Sequence, residues 1–110
     1  MKLLTKAIER ELRANSAKRP KASEVQPVLK LFNPMGAATW LFTELDDDGI
    51  LYGLCDLGMG FPELGYASLE EIQAVRLPFG LKIERDLHFT PNKTLQEYAD
   101  DARAKSRIDA

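Results

Sequence analysis

Between Leu81 and Phe89 the chain reads Leu-Lys-Ile-Glu-Arg-Asp-Leu-His-Phe, with ionisable residues on alternate positions. Successive side chains of an extended strand point to opposite faces. Lys82, Glu84, Asp86 and His88 would then share one face, and Leu81, Ile83, Arg85, Leu87 and Phe89 the other. Carboxylates and an imidazole about 7 Å apart could hold a divalent metal or divide the work of a general acid and a general base. Asp56 is a further carboxylate that could complete such a cluster. The chain holds one histidine and one cysteine, so the site would be dominated by carboxylates and would favour Mg²⁺ or Mn²⁺ over Zn²⁺. The plainer reading is the solvent face of a sheet packed on its other side, and that reading is preferred.

Arg85 stands out because strand parity places it among apolar neighbours. A guanidinium there needs a carboxylate or several carbonyls, since an unpaired buried charge costs several kcal/mol. A structural ion pair with Asp56, Glu63 or Glu71 is expected, anchoring the 58–66 loop; anion binding is the rival reading. That loop carries Gly58, Gly60 and Gly65, but neither the dinucleotide nor the P-loop spacing. Its apolar residues either tuck onto the sheet or form a protein-binding knob of Met59, Phe61 and Leu64, with Glu63 among them. Cys55 and His88 could pair as nucleophile and base, but a buried structural thiol is preferred for a mid-strand cysteine. Asp46, Asp47 and Asp48 lack the alternate spacing of a calcium loop and read as a hairpin tip. Trp40 and Phe42 share a strand face and read as core.

These residues need elements to place them. Thr5 can cap a helix to about Asn15, with Leu4, Ile8 and Leu12 as its apolar stripe. Residues 16–24 read as a mobile loop interrupted by Pro20. Strands are expected over Val25–Phe32, at a sheet edge or starting after Pro27, and over Ala38–Leu45 and Ile50–Leu57, joined by Asn-Pro-Met-Gly and Asp-Gly turns. Ser68 and Glu71 have the spacing of a capping box, as do Thr94 and Glu97. They open a short helix to about Arg76 and a last helix before a fraying tail over 105–110. With Leu81–Phe89 as the fourth strand, the order is α-β-β-β-α-β-α. This is an α+β fold: one domain over 1–110, with three helices on one face of an antiparallel sheet of about four strands.

The chain has 110 residues, of which 45% are hydrophobic, too many for a disordered chain. No apolar run approaches the ~18 residues of a membrane span. A lone cysteine and an opening stretch broken by charge point to the reducing cytoplasm. The net charge of −2 is unevenly spread. Residues 1–30 carry +5, and residues 31–75 hold eight Asp/Glu and no Lys or Arg. The basic head, with Arg10, Arg13, Lys18, Arg19 and Lys21, could meet a few phosphates, but no recognition motif accompanies it. Specific nucleic-acid binding is not expected.

Three stretches carry a resemblance: Met1-Lys2-Leu3-Leu4-Thr5, then Leu51–Gly58 leading into Pro62–Tyr66, and Pro78–Leu81 followed by Ile83–Phe89. Together they resemble a family of short bacterial proteins of unknown function, often encoded on conjugative plasmids, integrative elements and phages. The resemblance implies a mobile-element accessory role and no particular chemistry. The preferred expectation is a non-enzymatic protein that engages a host or element-encoded partner through the acidic middle and the 58–66 loop, with no cofactor. Its sharper form is an acidic surface that imitates nucleic acid toward a defence enzyme. The alternative is a small divalent-metal-dependent hydrolase or nuclease-like enzyme using Glu84, Asp86, His88 and Asp56. A third expectation is a scaffold or toxin–antitoxin-like accessory whose role is set by oligomerisation, a homodimer included.

Overall fold

Thr5 opens the first helix as expected: its hydroxyl accepts the Ile8 N–H at 3.1 Å, and α1 spans Lys6–Lys18. The structure, a computed structural model, describes residues 2–110; Met1 lies outside the described residues. Ile8 and Leu12 of α1 pack into the core, joined by Leu4 from just ahead of the helix. The helix runs a turn past Asn15. Pro20 disfavours helical backbone only at the residue before it, and there Arg19 turns left-handed at φ 48°, its N–H closing on the Asn15 carbonyl at 2.7 Å. Residues 16–18, expected in a loop, are therefore helical, and Ala22–Glu24 form a 3₁₀ turn.

The sheet has five strands: β1 (Leu29–Phe32), β2 (Thr39–Leu45), β3 (Ile50–Asp56), β4 (Glu63–Ser68) and β5 (Glu84–Arg85). All pairings are antiparallel, in the order β4-β3-β2-β1-β5. β4 starts within the stretch expected as a loop, 58–66, and runs on to Ser68. The long strand expected over 81–89 shrinks to two residues. Its partner β1 has only four, bounded by Pro27 and the turn that starts at Asn33. Beyond Arg85, Asp86 ends the strand by accepting the His88 N–H on its own side chain at 2.9 Å.

The helices occupy both faces of the sheet, not one. The reason lies in the central strands, which are apolar on both sides. Trp40, Phe42, Leu45 and Leu51 join α1 and Ile72 of α2 (Leu69–Ala74) in one core. Leu41 and Leu54 point the other way and meet Leu95, Tyr98, Ala99 and Ala102 of α3 (Leu95–Lys105). The tail beyond α3 is held down at Ile108, which is buried with that second core. The described residues form a single α+β domain with three α-helices, none of them long and apolar enough to cross a membrane.

A bulge keeps the two cores separate. The β2–β3 register shifts between Phe42 and Glu44, so Thr43 is an extra residue. Trp40 and Phe42 before it and Leu45 after it thereby face the same core despite the odd step. The Asn15 amide of α1 donates to the Thr43 carbonyl at 2.9 Å. Opposite Phe42, Gly53 leaves no room for a side chain: an added Cβ would lie 2.0 Å from the Leu41 carbonyl oxygen. Gly53→Ala is expected to cost about 3 kcal/mol or more. Asn15→Ala should cost about 1–2 kcal/mol by stranding a partly buried carbonyl. Urea denaturation measures both, and an Asn15→Ala midpoint equal to the parent's would remove the bond's assigned role.

Candidate functional site

Asp56 ends β3 and is 2% exposed. One carboxylate oxygen accepts the Gly58 N–H at 2.8 Å, and the other accepts the Ile108 N–H at 3.0 Å. Both contacts are structural. The first fixes the start of the loop to β4, the second pins the tail of the chain. Gly58 (φ 81°) and Gly60 (φ 86°) occupy backbone that side chains resist. Gly58 is doubly required, since an added Cβ would meet the Ala37 methyl at 2.9 Å.

The frame is tied down at Asp56, yet it holds apolar groups in water. Leu57 is 60% exposed, Met59 75% and Phe61 79%, while Pro62 is buried. Of the four residues expected to form a knob, Met59, Phe61 and Glu63 are exposed, and Leu64 packs toward the α3 core. Leu57 and Tyr66 belong to the same exposed set and were not expected. Tyr66 projects from β4, 75% exposed, with its ring 5.0 Å from that of Tyr52. The alternation Leu64-Gly65-Tyr66-Ala67 running into the Ser68 cap was the available signal, masked by the neighbouring glycines.

The row of ionisable residues comes together only in part. Glu84, Asp86 and His88 line a groove of about 490 Å³ with Lys30 and Phe32, but Asp56 is not among its walls. Asp86 is occupied: one oxygen accepts the His88 backbone N–H and the other lies 3.2 Å from the Lys30 ammonium. Burial pushes its carboxyl up, but that N–H and the Lys30 ammonium outweigh burial and hold it below the ordinary value. Among the described residues no three His, Cys, Asp or Glu side chains converge as metal ligands. The parity on which the cluster depended fails past Arg85, where Leu87 is exposed and Phe89 packs with Tyr98 on the α3 side.

Arg85 forms no ion pair with Asp56, Glu63 or Glu71. Its guanidinium donates to the carbonyls of Lys2 (3.0 Å) and Leu3 (2.8 Å), so it fastens the opening segment, not the 58–66 loop. Those three carboxylates belong to β3, β4 and α2, whereas β5 lies at the opposite edge of the sheet. The same separation parts Cys55 from His88. Burial pushes the Cys55 thiol up to about 11, which leaves it protonated and a poor nucleophile at neutral pH. The basic head is partly engaged: Arg13 pairs with Glu9 at 2.9 Å and donates to the Asp46 carbonyl at 3.0 Å. Arg19 and Lys21 share a cleft of about 290 Å³ with Glu44, Tyr52 and Tyr66. Burial raises the Glu44 carboxyl there, and Arg19 offsets part of the rise.

A protein-family model described as "Protein of unknown function (DUF2958)" matches residues 3–109. No curated protein and no solved structure matches the chain.

The Lys30–Asp86 pair gives a pH prediction. Asp86 is more acidic folded than unfolded, so its contribution is complete above about pH 4, the unfolded value, and is lost as pH falls through the lowered folded value. Lys30→Met should flatten the acid limb of stability and cost at most about 1 kcal/mol at neutral pH, the pair being partly exposed. An unchanged acid limb, followed by chemical denaturation between about pH 6 and 3, would show that the pair does not set it.

Proposed function

Because the chain belongs to this family of proteins of unknown function, we propose a role drawn from its own surface: a non-enzymatic interaction module that grips a partner protein with the loop at 57–62. The observation that carries this reading is the exposure of Leu57, Met59 and Phe61 on backbone fixed by Asp56, Gly58 and buried Pro62. Apolar side chains held in a defined shape lose little entropy on docking, which is how a few residues come to dominate an interface. Glu63 flanks them as the start of a polar rim.

We take the partner to be a host or element-encoded protein, which is what a resemblance to proteins of mobile elements would imply, with interference in a host defence pathway as the sharpest form of the role. The same reading sets the module in the cytoplasm, where a lone half-buried thiol stays reduced. The hydrolase reading draws less support, because Asp86 is committed to Lys30 and to the backbone. Thermal stability distinguishes the two. Millimolar Mg²⁺ or Mn²⁺ should leave the midpoint unchanged, whereas a rise of several degrees that vanishes in Asp86→Asn would restore the metal site.

The interaction reading is tested with the tagged chain as bait in a lysate of cells that carry it. Met59→Asp and Phe61→Asp should each reduce recovery of the bound protein at least tenfold, the loss of one central apolar anchor. Both side chains already face water, so melting temperatures should stay within about 2 °C of the parent. Equal recovery by the parent and both variants would remove the loop from the interface.

A further inference from the structure

Resting on the interaction reading above, we propose that the outer edge of β4 takes up an extended, lysine- or arginine-bearing segment of the partner protein, which joins the sheet as a sixth strand. The register fixes which backbone groups are free. The Leu69 N–H bonds the Gly49 carbonyl at 3.0 Å, and β4 pairs Ala67 with Leu51, Gly65 with Gly53 and Glu63 with Cys55. Antiparallel strands alternate bonded and non-bonded pairs. Residues 63, 65 and 67 therefore turn their N–H and C=O groups toward β3, and Leu64, Tyr66 and Ser68 turn theirs outward. At one end the Ser68 hydroxyl caps Glu71, but the return bond that completes a capping box at Thr94 and Glu97 has no counterpart here, so Glu71 does not take up the Ser68 N–H that the register turns outward.

β4 is an edge strand that lacks the usual guards against strand addition. Exposed edges are ordinarily guarded by lysine, proline, a bulge or shortness. The opposite edge, β5, is two residues long and ends in the Asp86 turn. β4 has six residues and contains no Lys, Arg or Pro. Gly65 is informative by contrast with Gly53. Gly53 is required by contacts inside the chain, whereas a Cβ on Gly65 would meet nothing within 4 Å, and its φ is not positive. A glycine inside a strand weakens it, and one reason to keep it is the close approach of another chain. On the other face, Tyr66 on Tyr52 offers an aromatic platform to an alternate side chain of the added strand.

Charge chooses the occupant. Glu63, Glu70 and Glu71 are exposed and unpaired among the described residues. Asp47 and Asp48 stand at the hairpin tip beside Gly49, where β4 ends against β3. No Lys or Arg lies between residues 31 and 75. A second copy presenting the same edge would bring the same carboxylates, whereas a basic segment would complement them.

The probe is an acetylated, amidated octapeptide of alternating lysine and valine, compared with its glutamate-for-lysine counterpart. The lysine peptide should bind at least tenfold tighter. Amide hydrogen exchange should show Leu64 and Tyr66 fast in the free chain and at least tenfold slower with peptide, while Gly65 and Ala67 are slow in both states. Glu63→Lys, a surface change, should weaken the lysine peptide at least threefold. Tyr66→Pro, which removes an outward donor and spares the β3 ladder, should abolish the protection. Equal affinity for the two peptides, or no slowing at Leu64 and Tyr66, overturns the proposal. So does protection that grows with protein concentration alone, which would make the occupant a second copy. Lysate capture separates this proposal from the interaction reading. Loss in Phe61→Asp with full retention in Glu63→Lys and Tyr66→Pro overturns strand addition and keeps the loop. Retention in all three overturns both.

Discussion

A carboxylate with no ion-pair partner among the described residues holds the loop at 57–62 and the tail after α3 in shape. Asp56 is buried, and it meets two backbone N–H groups separated by half the chain. Bonds from neutral donors to an ionised acceptor contribute about 1.5–3 kcal/mol each, against the cost of removing the charge from water. What they secure is shape. One oxygen starts the loop that lifts Leu57, Met59 and Phe61 into solvent; the other ties down the tail after α3, and with it the helix covering Leu41 and Leu54. A neutral side chain of similar size could fill the space, but it could not accept both donors with equal strength. The loop and the α3 layer are therefore mechanically linked through one residue of β3.

Local signals in the sequence carried local structure well. Thr5, Ser68 and Thr94 cap the three helices at the expected places, because an N-cap depends on residues within one turn. Pro27 delays the first strand, and Asp-Gly turns the hairpin after β2, for equally local reasons. What escaped was decided at a distance. Strand parity over 81–89 assumed a partner of equal length, and β1 supplies only four residues. Phe89 has the same parity as Ile83 yet ends in the opposite core. Helices on one face followed from the order of elements and their hairpins, but the central strands are apolar on both sides and require cover on both.

The candidate site was half legible for the same reason. Met59, Phe61 and Glu63 could be singled out as apolar and acidic residues in a glycine-rich stretch. That stretch looked like a loop because its glycines were read together. They do separate jobs. Gly58 and Gly60 turn the chain at positive φ, and Gly65 sits in a strand with open space above it. Arg85 shows the complementary case. Its need for oxygen partners followed from parity and burial cost, but their identity could not, because backbone carbonyls leave no trace in a sequence. Lys2 and Leu3 supply them from the far end of the chain.

The charge order along the chain acquires a spatial meaning only through these contacts. A basic head of +5 could have folded over the acidic middle and cancelled it. Among the described residues, a single head-to-middle ion pair forms, Arg13 to Asp47 at the outer limit of 4.0 Å. Lys30 turns instead to Asp86, and Arg13 spends its best bonds on Glu9 and a carbonyl. The head packs against the sheet through Leu4, Ile8 and Leu12, and of its cations Arg19 and Lys21 reach the sheet in the cleft with Glu44, Tyr52 and Tyr66. Glu63, Glu70 and Glu71 are left without partners next to the longest free edge of the sheet. A fold that cancelled its own charge would have had no reason to keep lysine and arginine out of forty-five consecutive residues. Their exclusion from β4 itself removes the side chains that ordinarily keep a strand edge from accepting another strand.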